Sequence, residues 1–255
     1  MSGSIEVRGV LIGKGMPKII VPIVGKTEEE ILRETEKAAA AAPDLVEWRA
    51  DWFAQVMDGV RVKEVLGKIR ERVENIPLLY TFRTAAEGGE MEIRPEDYVK
   101  LCREAASGGQ ADLLDVELSM GEQTVRQIIE TAHHFGVRVI ASSHDFHATP
   151  PGDEILRRLK KMQALGADVL KIAVTPQDPS DVLVLLDATR EMACRYADRP
   201  LITMSMGKTG AVSRLCGETF GSAATFGTAG RSSAPGQIPV PQLREILRVL
   251  HGAEE

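Results

Sequence analysis

The sequence predicts a (β/α)8 barrel, or TIM barrel, in which eight parallel strands form a closed ring inside a layer of helices. The chain has 255 residues, the usual length of one such barrel. Short apolar or β-branched runs alternate with helical segments about eight times, and their starts lie roughly 25 to 35 residues apart, as βα units require. An open doubly wound sheet is disfavoured because no GxGxxG motif follows the first strand. We therefore expect a single catalytic domain over residues 1–255.

The predicted strands are apolar on both faces, which suits strands packed inside the ring and covered by helices outside. They are KIIVPIV (18–24), LVEWRA (45–50), PLLYTF (77–82), DLLDVE (112–117), RVIASS (138–143), DVLKIAV (168–174), LITMSM (201–206) and AATFGT (223–228). Thr27 before a run of glutamates, and Pro95 before Glu96 and Asp97, are typical of helix starts.

Two further segments complete the predicted architecture. Residues 5–16 precede the first barrel strand, and we expect a short hairpin that closes the bottom of the barrel. Residues 228–241, TAGRSSAPGQIPVP, are rich in Gly, Ser, Ala and Pro, which is typical of a loop. This loop follows the last strand, on the side where barrel active sites lie.

Composition excludes several classes of partner. Lys and Arg total 31 against 37 Asp and Glu, so the net charge is −6 and nucleic acid is not an expected partner. No apolar run approaches the ~20 residues that cross a bilayer, and no signal peptide is evident, so we expect no membrane association. The three cysteines lack CxxC spacing, which fits a reducing cytoplasm. The histidines lack HExxH or HxH spacing, so we expect no metal and no cofactor.

Polar residues recur at the carboxyl ends of the predicted strands. Because those ends converge on one pocket in a barrel, their polar residues form one candidate site. The candidates are Glu47 and Arg49 in the second strand, Arg83 and Glu87 after the third, His144 and Asp145 after the fifth, Lys171 in the sixth, and Arg214 after the seventh.

Lys171 is the most unusual candidate because it lies inside the apolar run DVLKIAV. Loss of hydration and neighbouring cations favour the neutral amine of a lysine, which can attack a ketone and form an iminium. The alternative is a structural lysine that pairs with a barrel glutamate such as Glu47 and takes no part in chemistry.

His144 lies one strand from Lys171 and could act as a general base, because imidazole takes and returns protons near neutral pH. Glu87 could orient that imidazole through a hydrogen bond. The alternatives are a histidine that only bonds its neighbour Asp145, and a solvated loop glutamate at position 87. Gly88 and Gly89 would let the backbone turn tightly beside the site.

The remaining candidates suggest an anionic ligand under a lid. Arg49, Arg83 and Arg214 would place three guanidinium groups at one pocket mouth, although each could be a structural ion pair instead. Ser233 and Gln237 lie in the final loop, where they could meet substrate hydroxyls if that loop closes; otherwise the loop is a mobile connection.

Taken together, these segments resemble one known family, the type I 3-dehydroquinate dehydratases. The resemblance covers nearly the whole chain and rests on seven ordered segments: KIIVPI, VEWRAD, FRTAAEGG, SHDFHATP, LKIAV, MSMGKTGAVSR and SAPGQIP. Two positions depart from the family pattern: Pro22 stands where many members have serine, and Ser143 stands where an aromatic residue is common. Both bear on the fit around the substrate.

The resemblance implies a role for each candidate residue. It implies that Lys171 forms the Schiff base, that His144 is the general base and acid, and that Glu87 is its carboxylate partner. It implies substrate contacts for Glu47, Arg49, Arg83, Arg214, Ser233 and Gln237, and an apolar pocket lining for Met204, Met206, Phe226 and Ala234.

The implied reaction is the syn dehydration of 3-dehydroquinate to 3-dehydroshikimate in the shikimate pathway, by a lyase that forms a homodimer. Two rival functions remain at this point. A class I aldolase would use the same strand lysine, and the Glu87 and His144 pair argues against it. A non-catalytic barrel that binds a small carboxylate would need only the arginines.

Overall fold

The computed structural model describes residues 3–230 and 234–252, and its core is a ring of eight parallel strands. An N-terminal hairpin comes first, formed by β1 (Ile5–Val7) and β2 (Val10–Ile12). The barrel strands are β3 (Lys18–Ile23), β4 (Leu45–Arg49), β5 (Leu78–Thr81), β6 (Leu113–Glu117), β7 (Arg138–Asp145), β8 (Val169–Val174), β9 (Leu201–Ser205) and β10 (Ala224–Thr228).

Helices alternate with these strands along the described chain. They are α1 (Glu28–Ala40), α2 (Gly59–Val73), α3 (Pro95–Ser107), α4 (Glu122–His134), α5 (Gly152–Ala164), α6 (Pro179–Arg195), α7 (Gly207–Cys216) and α8 (Val240–Gly252). A two-residue strand, β11 (Ile238–Pro239), precedes α8 and pairs with β10. None of the described helices is long and apolar enough to cross a membrane.

The strands pair in chain order, and the ring closes where β10 pairs with β3. On the other side of β10, a parallel bridge joins Leu201 to Ser222, and the Ala223 N–H donates to the Leu201 carbonyl at 2.7 Å. The Ser222 hydroxyl also accepts the N–H of Thr203 in β9 at 3.1 Å. The predicted (β/α)8 barrel is therefore confirmed.

Because successive side chains of a strand point to opposite faces, each barrel strand contributes alternately to the barrel interior and to the layer under the helices. In β4, Val46 and Trp48 join the apolar layer under the helices, whereas Leu45 joins the interior cluster. That interior cluster fills the lower barrel, with Leu79, Leu113, Ile140, Val169, Ile202 and Ala224. Val7 and Ile12 of the hairpin belong to the same cluster, so the hairpin covers the bottom of the barrel as predicted.

The predicted strands agree with the observed ones to within two residues at each end, with three corrections. His144 and Asp145 are the last residues of β7, because its pairing with β8 extends to Asp145. Arg214 lies on α7, where we had expected a strand end or loop. The segment 228–241 is not wholly a loop, because it contains β11 and the first residues of α8. The N-cap at Thr27 is as predicted, since its hydroxyl accepts the Glu30 N–H.

Three aspartates link neighbouring strands at the bottom of the barrel through the same hydrogen bond. Each aspartate comes immediately before a strand, and its carboxylate accepts a backbone N–H from the preceding strand in the ring. Asp44 accepts from Ile19, Asp112 from Leu78 and Asp168 from Val139, each at 2.8 Å. Each also pairs with an arginine, namely Arg244, Arg70 and Arg138 respectively. Arg8 of the hairpin turn adds a second partner to Asp112, at 2.6 Å, and so ties the hairpin to the barrel.

We predict that Asp112→Ala lowers the free energy of unfolding by about 2 kcal/mol, because it leaves the Leu78 N–H and the Arg70 guanidinium without this acceptor. Chemical denaturation measures the change. Asp187→Ala is the matched control, since Asp187 is exposed and, within residues 3–230 and 234–252, its ion pair is with its helix neighbour Arg190; it should change stability by less than about 0.5 kcal/mol. Equal losses in the two variants would refute a fastening role for Asp112.

Candidate active site

Lys171 lies on the inner face of β8, and its amine is held in a pocket that favours a cation. Its Nζ lies 2.9 Å from Oδ2 of Asp115, a residue of β6, and 4.6 Å from the centre of the Phe226 ring. Glu47, the carboxylate partner considered from the sequence, is farther away at 3.9 Å, and its Oε1 accepts the Thr81 hydroxyl. The nearest charged group is thus an anion, while Arg49, Arg83 and Arg214 line the same cavity.

Asp115 connects Lys171 to the rest of the buried charges. While Oδ2 faces Lys171, Oδ1 accepts from Arg83 at 2.8 Å and from the Ser142 hydroxyl at 2.6 Å. Burial opposes the ionisation of this carboxyl, but the charges of Arg83 and Lys171 outweigh it and hold its pKa below the usual range. Asp115 is therefore a carboxylate, and it was not among the site residues predicted from the sequence.

The imidazole of His144 is tethered to Glu87. One oxygen of Glu87, Oε2, lies 2.8 Å from His144 Nδ1 and accepts the His144 backbone N–H at 2.9 Å. Asp145, the alternative partner, instead accepts the N–H groups of His147 and Ala148. The predicted Glu87–His144 contact is therefore present in the structure.

A tight turn brings Glu87 to this position. Glu87 ends a 3-10 turn at residues 85–87, and Gly88 follows it with φ +83°, in the left-handed region that favours glycine. A Cβ on Gly88 would lie 2.3 Å from the ring of Phe146, so a side chain there would displace that ring. Glu87 is 5% exposed, which excludes the alternative of a solvated loop glutamate.

Burial shifts the pKa values of Glu87 and His144 in opposite directions. Burial and the negative charge of Glu117 together raise the pKa of Glu87 to about 7. Burial lowers the pKa of His144, and the positive charges of Arg83 and Lys171 lower it further. His144 is therefore neutral at neutral pH. If Nδ1 donates to Glu87, the lone pair is on Nε2, which leaves that nitrogen able to accept a proton.

Strand register brings the amine and the imidazole together. In the β7–β8 ladder Ser142 is opposite Lys171. His144, two residues further along β7 and on the same inner face, is opposite Ala173. His144 and Lys171 both line a single cavity at the carboxyl ends of the strands. One bound ligand can therefore reach both groups.

The three arginines differ in their partners. Arg49 makes two hydrogen bonds of 2.8 Å to Asp51, and the guanidinium of Arg83 contacts Asp115 and Glu117, each at 2.8 Å. Both therefore have the structural ion pairs that the sequence left open, although both also line the cavity.

Arg214 is buried without such a partner among the described residues. It is 2% exposed, it donates to the Pro235 carbonyl at 3.1 Å, and within the same residues its Nε has no hydrogen-bond partner. Among the described residues no carboxylate lies within ion-pair distance, and burial lowers its pKa to about 10. A buried cation without an anion is costly, so the site favours a ligand that brings a negative charge.

The cavity has an empty volume of about 450 Å³ that is open to solvent. Its lining contains the predicted residues Glu47, Arg49, Arg83, Glu87, His144, Lys171, Met204, Met206, Arg214, Phe226, Ala234 and Gln237. Phe146 and Ala173 also line it and were not predicted. Ser233 lies outside the described residues, so its predicted contact stays a prediction.

The two positions that depart from the family pattern differ in their relation to the cavity. Ser143 is opposite Ile172 in the ladder, between the two inward residues of β7, and its hydroxyl accepts from Arg158 on α5 at 3.2 Å. It therefore faces the helix layer. Pro22 is opposite Glu47 in the β3–β4 ladder, so it is the neighbour of a residue that lines the cavity.

Comparisons with known proteins agree on one family. The model of the type I 3-dehydroquinase family matches residues 19–254. The 3-dehydroquinate dehydratase of Salmonella agona is 52% identical over 250 residues, which cover 98% of this chain and 99% of the relative. The 3-dehydroquinate dehydratase of Clostridioides difficile is 50% identical over 251 residues, covering 98% of each chain.

A solved structure leads to the same assignment. The crystal structure of the Clostridium difficile type I 3-dehydroquinate dehydratase, with covalently modified comenic acid, has a TM-score of 0.96. It is 49% identical and covers 99% of this chain and 100% of its own. Because the family model matches residues 19–254 and relatives are about 50% identical over nearly the whole chain, this chain belongs to the type I 3-dehydroquinase family.

Proposed function

We propose that this chain is a lyase that converts 3-dehydroquinate to 3-dehydroshikimate by syn dehydration through an imine on Lys171. The observation that carries the proposal is the shared cavity of the buried Lys171 amine and the carboxylate-tethered imidazole of His144. Family membership supports the choice of substrate, since the named relatives are 3-dehydroquinate dehydratases. The Glu87–His144 pair favours proton transfer over the carbon–carbon cleavage of an aldolase.

The first step is imine formation. The neutral amine of Lys171 attacks the C3 ketone, and loss of one water from the resulting carbinolamine leaves an iminium between Nζ and C3. The positive charge on nitrogen makes the C2 proton more acidic, because the electrons of that C–H bond can flow into the C=N bond.

The second step is elimination, and His144 serves it twice. Its neutral imidazole removes the C2 proton, and the electrons form an enamine. The resulting imidazolium, stabilised by Glu87, then protonates the C1 hydroxyl, which leaves as water. The product iminium takes up one water, which releases 3-dehydroshikimate and restores the lysine amine. The net change is the loss of one water molecule.

Binding of the substrate follows from the remaining groups of the cavity. The carboxylate of 3-dehydroquinate would pair with Arg214, which lacks an anion among the described residues. Contacts to the ring hydroxyls are proposed for Glu47, Arg49, Arg83, Ser233 and Gln237. The faces of the ring would pack on Met204, Met206, Phe226 and Ala234. The proposal places the reaction at the third step of the shikimate pathway, in the cytoplasm, in a homodimer with no cofactor.

We predict that borohydride in the presence of 3-dehydroquinate fixes a substrate-sized adduct on Lys171 and abolishes activity, because it reduces the iminium irreversibly. Peptide mass spectrometry locates the adduct, and the absorbance of the conjugated enone product reports activity. Lys171→Met should give no adduct, whereas Lys208→Met, which removes an exposed lysine, should behave as the unaltered chain does. Full activity without an adduct would refute the imine mechanism.

We predict that kcat/KM falls as the pH drops through about 7, because Glu87 then takes up a proton and no longer stabilises the imidazolium of His144. Glu87→Gln should lower kcat/KM by about 10- to 100-fold above this pH and should remove the decline, since the amide does not titrate. Glu90→Gln, which neutralises an exposed residue nearby, should keep the profile of the unaltered chain. A decline that persists unchanged in Glu87→Gln would assign it to another group.

A further inference from the structure

Asp115 is the closest charged group to the amine of Lys171, and its two oxygens have separate partners. Oδ2 faces only Lys171 among the described hydrogen bonds, at 2.9 Å, while Oδ1 accepts from Arg83 and Ser142. Two donors on Oδ1 fix the plane of the carboxylate, so the direction of Oδ2 toward Nζ is set by neighbouring strands.

The contacts of the amine suit a nitrogen that stays positively charged. The carboxylate of Asp115 lies 2.9 Å from it, and the ring of Phe226, whose face attracts cations, has its centre at 4.6 Å. In the proposed reaction the ammonium and the iminium carry the same charge on the same atom. A group that stabilises one therefore stabilises the other without rearrangement.

We infer that Asp115 is a positioning residue that holds the Lys171 nitrogen and stabilises its iminium during the reaction. This inference rests on the proposed function and adds a residue to it. Asp115 gains no proton in the cycle. It supplies a fixed negative charge where the positive charge of the iminium develops, and Arg83 and Ser142 keep that charge in place.

Other charged groups lie in the same cavity or contact its residues, and the test has to separate them from Asp115. Glu47 on β4 lies 3.9 Å from the Lys171 nitrogen. The cavity lining also contains Arg83 after β5, His144 on β7 with Glu87 beside it, and Arg49 and Arg214, while Glu117 on β6 contacts Arg83. All of these remain in a variant that changes Asp115 alone.

We predict that Asp115→Asn changes both the pH dependence and the rate of imine formation. Without the adjacent anion the ammonium is less favoured, so the pH midpoint for trapping substrate on Lys171 should move down by at least about one unit. The iminium is less favoured as well, so the trapping rate above the midpoint should fall about tenfold or more. Cyanoborohydride trapping at a series of pH values, followed by mass spectrometry, measures both. A purely structural defect would lower the rate without moving the midpoint, and that result would overturn the inference.

Two further variants serve as controls, with thermal unfolding of each checked first. Ser142→Ala removes a hydrogen bond to the same carboxylate but keeps the charge, so the midpoint should move by less than about 0.3 unit. Asp115→Glu also keeps a charge, and it decides the matter if Asp115→Asn does not fold. A midpoint that stays near its original pH in Asp115→Glu supports the inference, and a shift of about one unit contradicts it.

The unaltered chain distinguishes this inference from the proposed function. If it neither produces the enone nor forms a trapped adduct, the proposed function fails. If it does both and Asp115→Asn shows the same midpoint, only the role of Asp115 fails.

Discussion

The pairing of charges inside the barrel is the constraint on which the site depends. Lys171 and Arg83 would each be expensive to bury alone, and Asp115 meets both, while Glu117 adds a second anion to Arg83. These contacts join β5, β6 and β8, so they also require the strands to be in the observed register. Arg214 is the exception among the cavity cations, because no described carboxylate pairs with it. Among the described residues, Lys171, Arg49 and Arg83 of the cavity thus have carboxylate partners, whereas Arg214 leaves a place for an anionic ligand.

Much of this arrangement could be predicted from the sequence because barrel geometry is strongly periodic. Alternating apolar runs located all eight strands, and the rule that strand ends converge brought Lys171, His144 and Glu87 into one site. The hairpin over the bottom of the barrel was also predicted, from the place of residues 5–16 before the first strand, and its Val7 and Ile12 pack in the interior cluster. These predictions combine local pattern with the known geometry of a barrel.

Contacts between distant strands could not be predicted in the same way. In the run DLLDVE, Asp115 and Glu117 look like ordinary polar residues of a strand, and the partners of their side chains lie 27 or more positions away in sequence. Pairing depends on register and on ring closure, which no local period reveals. For the same reason the sequence could not tell that Arg83 is paired whereas Arg214 is not, although the partner of Arg49, Asp51, lies only two positions away. A signal was present in one respect: two acidic residues on the inner face of a barrel strand require buried cations.

In the proposed mechanism imine formation and proton transfer belong to different residues of one cavity, and the variant His144→Ala separates the two steps. Mass spectrometry after borohydride treatment would measure the imine on Lys171, and the enone absorbance would measure dehydration in the same sample. We expect the variant still to form the substrate adduct but to lose turnover by at least about a thousandfold. Normal dehydration by His144→Ala would contradict it, because the proton would then be carried by another group.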